Sequence, residues 1–332
     1  MNLNLATIQI ITDIQPIPDA DAIEVASVMG WKCVVKKGEF KIGDKCVYIG
    51  IDTIVPETPQ FEFLRKAHYR IKTIRLRKQL SQGIIFPLTI IQNQQEWVEG
   101  QDVTEIVNVR KYEKPIPINL AGIIKGNFPS YIPKTDEIML QSILSVLNEI
   151  KDKEVYITVK CDGTSATFVN HDNEVHVCSR NLSLKETEDN VYWKMYHKYH
   201  LENMPPEFAV QGEICGPGIQ KNKLELTEQE LFVFDIYNIN QGKYLNYFEM
   251  VDFCKNYNLQ TVPLIQVCKF DYTLEQLLEM AKGKYPNGQN REGIVIRPVN
   301  ESYSKIIDKK YGRQGRMSFK VLNNDYLEKD DD

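Results

Sequence analysis

Lys160, Cys161, Asp162 and Gly163 follow directly on the apolar stretch 155–159. There Val155, Ile157 and Val159 alternate with Tyr156 and Thr158, the period of a half-buried strand. An amine at the end of such a strand, backed by an acid and a turn-forming glycine, can act as a nucleophile once it has lost its proton. At an ordinary pKa of about 10.4, roughly 1 lysine in 2,500 is neutral at pH 7, a handicap of about 4–5 kcal/mol. Burial or a nearby divalent cation removes part of that handicap. Lysines also end strands simply because the stem packs on apolar neighbours while the amine reaches water. Position alone therefore assigns Lys160 no reaction.

More residues with chemical potential follow in the same half of the chain. Arg180, in "SRN" (179–181), offers a planar donor fork for ribose or phosphate. Glu213 in "QGEICG" (211–216) and Glu292 in "REGIVIR" (291–297) interrupt apolar strands, where an unpaired carboxylate is costly to bury. Phe234 in "FVFDIY" (232–237) can stack on a base or simply fill a core. Lys320 closes "SFK" (318–320), and Arg297 and Arg316 are further candidates for phosphate.

These stretches carry a family resemblance. "KCDG" resembles the K-x-D-G signature of covalent nucleotidyltransferases, which include ATP-dependent DNA and RNA ligases and GTP-dependent capping enzymes. The five stretches above resemble the later motifs of that superfamily, in order and from Lys160 to Lys320. In addition "LATI", "GWKCVVKKGEFKIGD", "LRKQLSQG", "FPSYIPKTD" and "ETEDNVYW" make the chain similar, nearly end to end, to the Naegleria-type ATP-dependent RNA ligases. The OB-like segment stands before the transferase segment, an order unusual among DNA ligases and capping enzymes.

The resemblance implies an RNA ligase that uses ATP and Mg²⁺ or Mn²⁺ to seal 3′-OH and 5′-phosphate ends through a lysyl-AMP intermediate. It implies Lys160 as the nucleophile, with Asp162 orienting its neighbourhood and Gly163 allowing a tight turn. Arg180 would meet ribose or phosphate, Glu213 the ribose hydroxyls and Phe234 the adenine. Glu292 would bind the metal and help depress the Lys160 pKa, and Lys320 would hold the α-phosphate. Many relatives carry two lysines in the last motif, and the first of those places is Ser318 here. Arg316 is expected to compensate, and the long stretch from Arg297 to Arg316 to extend a loop over the substrate. Three rival functions follow from the same residues: a GTP-dependent guanylyltransferase of the capping type, a DNA ligase, and a non-catalytic OB-fold RNA-binding protein.

The elements that must position these residues divide into two expected domains, 1–112 and 113–332. Residues 1–110 show short apolar segments separated by turn signals, the pattern of a small barrel such as an OB-fold. Trp31, Phe40 and Tyr48 could stack on bases, although core roles suit them better. A connector (111–137) with Pro115, Pro117, Pro129 and Pro133 joins the domains. The stretch "TDEIMLQSILSVLNEIKDK" then predicts an amphipathic helix. Beyond it, strands are expected at 154–160, 164–169, 174–179, 207–214, 230–237, 261–267, 291–298 and 316–321. Helices are expected near 186–201, 247–257 and 273–283. The class is α+β: an OB-fold barrel followed by a ligase-type transferase domain with antiparallel sheets and flanking helices.

Composition narrows the partners. The net charge of −5 over 332 residues does not by itself announce a nucleic-acid binder. However, Arg65, Lys66, Arg70, Lys72, Arg75, Arg77 and Lys78 form a run without acids, and "SKIIDKKYGRQGRMSFK" (304–320) is a second basic cluster. Two such clusters on an acidic chain favour a polyanion that meets part of the surface, so the first is expected to touch RNA. A nicked duplex is among the expected substrates. Seven scattered cysteines without a C-x-x-C pair read as reduced thiols of an intracellular, soluble protein, cytoplasmic or nuclear. No bilayer-spanning run or secretory signal is expected, His197 and His200 read as surface residues, and a monomer is expected.

Overall fold

The structure, a computed structural model, describes residues 4–91, 96–113, 122–311 and 315–327. Pro115 and Pro117 of the connector, Arg313 of the second basic cluster and the acidic end lie outside the described residues. The fold is α+β, as expected.

The N-terminal strands form because apolar and polar residues alternate. In Trp31–Lys36, Trp31, Cys33 and Val35 are buried while Lys32 and Lys36 face solvent. This strand continues a meander with Asp13–Pro16 and Ile23–Val28. Lys45–Ile49 lies antiparallel between Ala6–Ile10 and Ile84–Pro87. Trp31, Phe40 and Tyr48 are only 2%, 5% and 4% exposed, so they are core residues and offer no face to a base. The hairpin Thr73–Leu76/Gln79–Gln82 turns at Arg77 and Lys78, both with positive φ (49° and 64°), the conformation that suits a two-residue hairpin turn.

This domain docks on the rest of the chain. The Gly30 amide donates to the Gln141 carbonyl at 3.1 Å. A Cβ at Gly30 would sit 2.9 Å from Gln141 Cα, so glycine permits the approach. Gln82 Nε2, at the hairpin's end, meets Asn324 Oδ1 at 3.4 Å.

The C-terminal half is built on two sheets. In one, Glu154–Lys160 lies antiparallel between Gly293–Pro298 and Leu264–Lys269, and Phe319–Leu322 extends it beyond Gly293–Pro298. In the other, Thr164–His171 lies between Glu174–Cys178 and Phe208–Cys215, with Glu230–Asn238 next. The chain crosses from the first sheet to the second through Cys161–Gly163. That crossing leaves Lys160 at the junction of the two sheets.

The described fold departs from the sequence expectations in five places. Glu154–Lys160 is not half-buried: Val155, Tyr156, Ile157 and Thr158 are all inside, because the strand is central and covered on both faces. Tyr156 stacks on Tyr247 with ring centroids 4.5 Å apart. The helix expected from Thr135 to Lys153 does not form. Ile138–Met139 instead pairs parallel with Phe319–Lys320, a 3₁₀ turn follows at Leu140–Ser142, and only Val146–Ile150 is α-helical. Leu140, Ile143, Val146 and Ile150 pack inside at near-helical spacing, but Ile138 lies off that face and is drawn into the sheet by its pairing with Phe319. The last strand spans Phe319–Leu322 rather than 316–321, and the helix near 186–201 shortens to Val191–Lys198, capped by the Asn190 side chain. Finally, the stretch between Arg297 and Arg316 is not simply a loop: it contains the helix Lys305–Tyr311, anchored by the buried Ile307.

The described cysteines are all free, and all but Cys268 are buried. His197 is exposed and meets Glu186 at 2.8 Å, as a surface residue. No helix among the described residues is long and apolar enough to cross a membrane.

Candidate active site

A cavity of about 410 Å³ opens where the two sheets meet. Lys160, Asp162, Gly163, Arg180, Glu213, Phe234, Glu292, Arg297 and Lys320 all line it. Lys160 comes from a strand end opposite Gly293, with Glu292 one residue before that glycine. Lys320 pairs across the ladder with Val295 in the same sheet. The second sheet contributes Glu213, opposite Ser165 and Phe232 on its two sides, and Phe234 from the strand beyond. Residues far apart in sequence therefore converge because neighbouring strands end at one junction.

Close backbone approach shapes the turn. A Cβ on Gly163 would lie 2.3 Å from the Ile214 carbonyl oxygen and 2.9 Å from Glu213 Cγ. The residue is needed for space between the sheets rather than for a left-handed backbone, which refines the expectation of a tight turn. Similarly, a Cβ on Gly293 would lie 2.2 Å from the Val321 carbonyl oxygen.

The electrostatics differ from expectation at the nucleophile. Lys160 Nζ lies 2.7 Å from Glu292 Oε2, both side chains being largely buried. Burial taken alone lowers the Lys160 pKa, but Glu292, Glu213 and Asp162 together outweigh it and raise the pKa above the ordinary lysine value. In the ligand-free site the amine is thus an ammonium held by carboxylates, so Glu292 does not depress the Lys160 pKa here. Lys320 is shifted the other way: burial and then the nearby Lys160 charge lower its pKa.

Glu213 is pushed up to about 8, first by burial and then by Glu292 and Asp162, against the opposing pull of Lys160. Because its folded pKa exceeds the unfolded one, its contribution to stability is complete below about pH 4.5 and is lost as pH rises through about 8. Thermal unfolding of the ligand-free protein should therefore show stability falling between pH 5 and 8, at up to about 1.4 kcal/mol per pH unit from this group. Glu213→Gln should flatten that slope. A slope equal in the variant would contradict the assignment.

The remaining expected residues have definite partners. Asp162 is buried, 3.8 Å from Lys223 Nζ. Lys223 in turn lies 3.5 Å from the centre of the Tyr326 ring. Arg180 is exposed and ion-paired with Asp136. Phe234 is half-buried beside Val262 in the apolar wall, with Arg297 5.8 Å from its ring centre. Arg297 bonds Glu137 at 2.6 Å and lies 3.5 Å from Asp235, while its Nε and Nη1 find no hydrogen-bond partner among the described residues.

Arg316 does not fill the place left by Ser318. It forms two hydrogen bonds to Asp235, at 2.9 and 2.6 Å, and covers the Tyr244 ring at 3.4 Å. Arg316 and Ser318 line a neighbouring cavity of about 240 Å³ rather than the one around Lys160. The second basic cluster is accordingly split: Lys320 lies in the site, Arg316 on Asp235, and Lys305 and Lys309 in solvent.

Several lining residues escaped the reading of single motifs: Thr135, Asp136, Glu137, Gln220, Lys221 and Tyr326. The stretch "PKTDE" carries the signal for the first three, two acids after a proline, but the same residues also suit the start of a helix. Three carboxylates around one amine give hard oxygen donors suited to Mg²⁺ or Mn²⁺. Among the described residues no group of three or more metal-ligating side chains is preassembled, so such an ion would complete its shell with water and phosphate.

Among the first domain's basic residues, Arg65, Lys66, Arg75, Arg77 and Lys78 are exposed, and Arg70 and Lys72 are half-buried. Arg65 pairs with Glu62 at 2.8 Å and Arg70 with Asp52 at 2.6 Å. Arg75 lies 3.8 Å from Asp325 in the short helix Asn324–Leu327.

A strand-end lysine among carboxylates, with basic and aromatic groups in one cleft between two antiparallel sheets, defines the site of a covalent nucleotidyltransferase. The RNA ligase family model matches residues 153–322, and an OB-fold domain model matches residues 5–88. A point variant of Naegleria gruberi RNA ligase, solved with ATP and Mn, superposes with a TM-score of 0.85 at 36% identity, covering 98% of this chain and 99% of that one. The same enzyme with PPi gives a TM-score of 0.84 at 37% identity, with 98% of each chain covered. Another of its variants, with AMP and Mn, gives 0.85 at 36%, with 98% of this chain and 99% of that chain covered. No curated protein matches the chain significantly. The chain belongs to the RNA ligase family.

Proposed function

We infer that the protein is an ATP-dependent RNA ligase that joins 3′-OH and 5′-phosphate ends through a lysyl-AMP formed on Lys160. The observation that carries this reading is the convergence on one cavity of Lys160, its partner Glu292, and Arg180, Glu213, Phe234 and Lys320. The likeness to a ligase solved with ATP, AMP and PPi supports ATP as the nucleotide.

In the first step the Lys160 amine attacks the α-phosphorus of ATP, forming a P–N bond while the bond to the bridging oxygen breaks and pyrophosphate leaves. Next, the RNA 5′-phosphate attacks the same phosphorus, a P–O bond forms, and Lys160 leaves as an amine. Last, the 3′-OH attacks the 5′-phosphorus, and AMP departs with the phosphodiester made. Phosphoryl transfers of this kind rely on positioning and charge neutralisation. Lys320 and Arg180 supply positive charge for the phosphates, with Arg297's spare donors at the wall. Glu213 accepts from the ribose, Phe234 packs on the adenine, and Asp162 steadies the turn beneath the nucleophile. Glu292 would hold a divalent cation, which would supply positive charge in place of the ammonium and so ease loss of the Lys160 proton.

The division at 1–112 and 113–332 fits this reading. Tyr112 still bonds the first domain, its amide donating to the Asp52 carbonyl at 2.8 Å, and Ile124–Asn127 already belongs to the larger catalytic sheet. The first domain's exposed basic residues are assigned to the RNA backbone, with Arg77 and Lys78 at the hairpin tip foremost. Arg77→Glu with Lys78→Glu should leave labelling by ATP intact but weaken RNA binding. The dependence of log affinity on log salt should become shallower by about 0.7–0.9 for each phosphate that the variant no longer neutralises; an unchanged slope would reassign the hairpin. A nicked duplex and an intracellular setting, the latter in keeping with the free thiols, complete the proposal. The decisive assay is incubation with α-labelled ATP or GTP: label from ATP is expected, and label from GTP alone would make the protein a guanylyltransferase.

A further inference from the structure

Tyr285 lies outside every motif of the sequence and does not line the cavity, yet its hydroxyl touches the chain on both sides of the nucleophile's turn. It donates to the Lys160 carbonyl oxygen at 3.2 Å and accepts from the Asp162 amide at 3.2 Å. A phenol can do both at once. These bonds begin where the strand ladder stops, since Lys160 opposite Gly293 is the last pair on that side. The ring is 7% exposed, and burial raises its pKa, so the hydroxyl keeps the proton it donates.

The segment that carries Tyr285 is itself fixed. The Tyr285 amide donates to the Gln289 carbonyl at 2.8 Å, and the Gly288 amide to the Tyr285 carbonyl at 2.9 Å. A few residues on, the same segment delivers Glu292, which holds Lys160 Nζ. One stretch of chain thus grips Lys160 twice, by its backbone through Tyr285 and by its amine through Glu292.

We propose that Tyr285 is a positioning residue for nucleotidyl transfer, its hydroxyl setting the backbone from which the Lys160 amine reaches the α-phosphorus. This rests on the reading of Lys160 as the nucleophile. The effect falls on the step in which that amine attacks, and much less on the last step, where the RNA 3′-OH attacks an adenylylated strand. A hydroxyl that merely satisfied two buried backbone groups would affect every step alike.

Tyr285→Phe in the full-length protein separates the two. With α-labelled ATP and Mn²⁺, the rate of labelling at saturating ATP should fall about 10- to 100-fold, the scale expected of sub-ångström misplacement, with the ATP KM changed less than about threefold. Sealing of a pre-adenylylated RNA nick by the same preparation should stay within about threefold of the wild type, which also reports that the variant is folded. Equal loss in both assays, or no loss in labelling, overturns the proposal. A wild-type protein that takes no label from ATP overturns the underlying reading as well, so the two failures are distinct.

Discussion

Lys160→Ala takes no label from ATP, a loss of at least about 10³-fold, and Lys160→Arg is equally inactive because a guanidinium does not give up its proton. The alanine variant should also lose stability. It leaves the largely buried Glu292 carboxylate without the ammonium that it holds at 2.7 Å. Uncompensated buried charge costs roughly 3–5 kcal/mol in a closed interior, and this cavity is open to water, so about 1–3 kcal/mol at neutral pH is expected. Circular dichroism during heating and a labelling gel on the same samples check both halves. Label on the alanine variant would remove Lys160 from the mechanism. Stability equal to the wild type at all pH values would mean that the carboxylates do not depend on it.

Glu292→Gln gives the second large effect, and its sign separates two accounts of the site. If Glu292 only anchored the ammonium, the variant would free a less basic lysine and label faster at neutral pH. If Glu292 instead recruits the cation that replaces the ammonium as counter-charge, labelling falls by about 10²-fold or more despite the easier deprotonation. The second outcome is expected, with a pH profile displaced to lower pH in the residual activity. The Mn²⁺ concentration needed for half-maximal labelling should rise. Faster labelling at pH 7 with unchanged metal dependence would contradict it.

The family resemblance, more than local chemistry, made much of this site legible in the sequence. Lys160, Glu213, Phe234, Glu292, Arg297 and Lys320 each lie in a strand or at its edge, and all of them line one cavity. The β-rich first domain was equally readable, because alternation such as that of Trp31–Lys36 records which face is buried. What stayed hidden depended on partners distant in sequence. Ile138 pairs with Phe319, a pairing no local period reveals, so apolar residues around it were read as a helix. Likewise Arg316 could be read as a phosphate ligand until Asp235 was seen to hold it. Tyr285 gave no signal at all, since its role lies in one hydroxyl meeting the backbone 125 residues away. The rise in the Lys160 pKa is hidden from sequence for a related reason: burial acts one way, and three carboxylates from separate segments act the other.

The most direct test of the account is intact-protein and peptide mass spectrometry after incubation with ATP and Mn²⁺. The account requires the added mass of one AMP, labile to acid and carried by the peptide containing Lys160. An unmodified Lys160, or AMP found on another side chain, would contradict it.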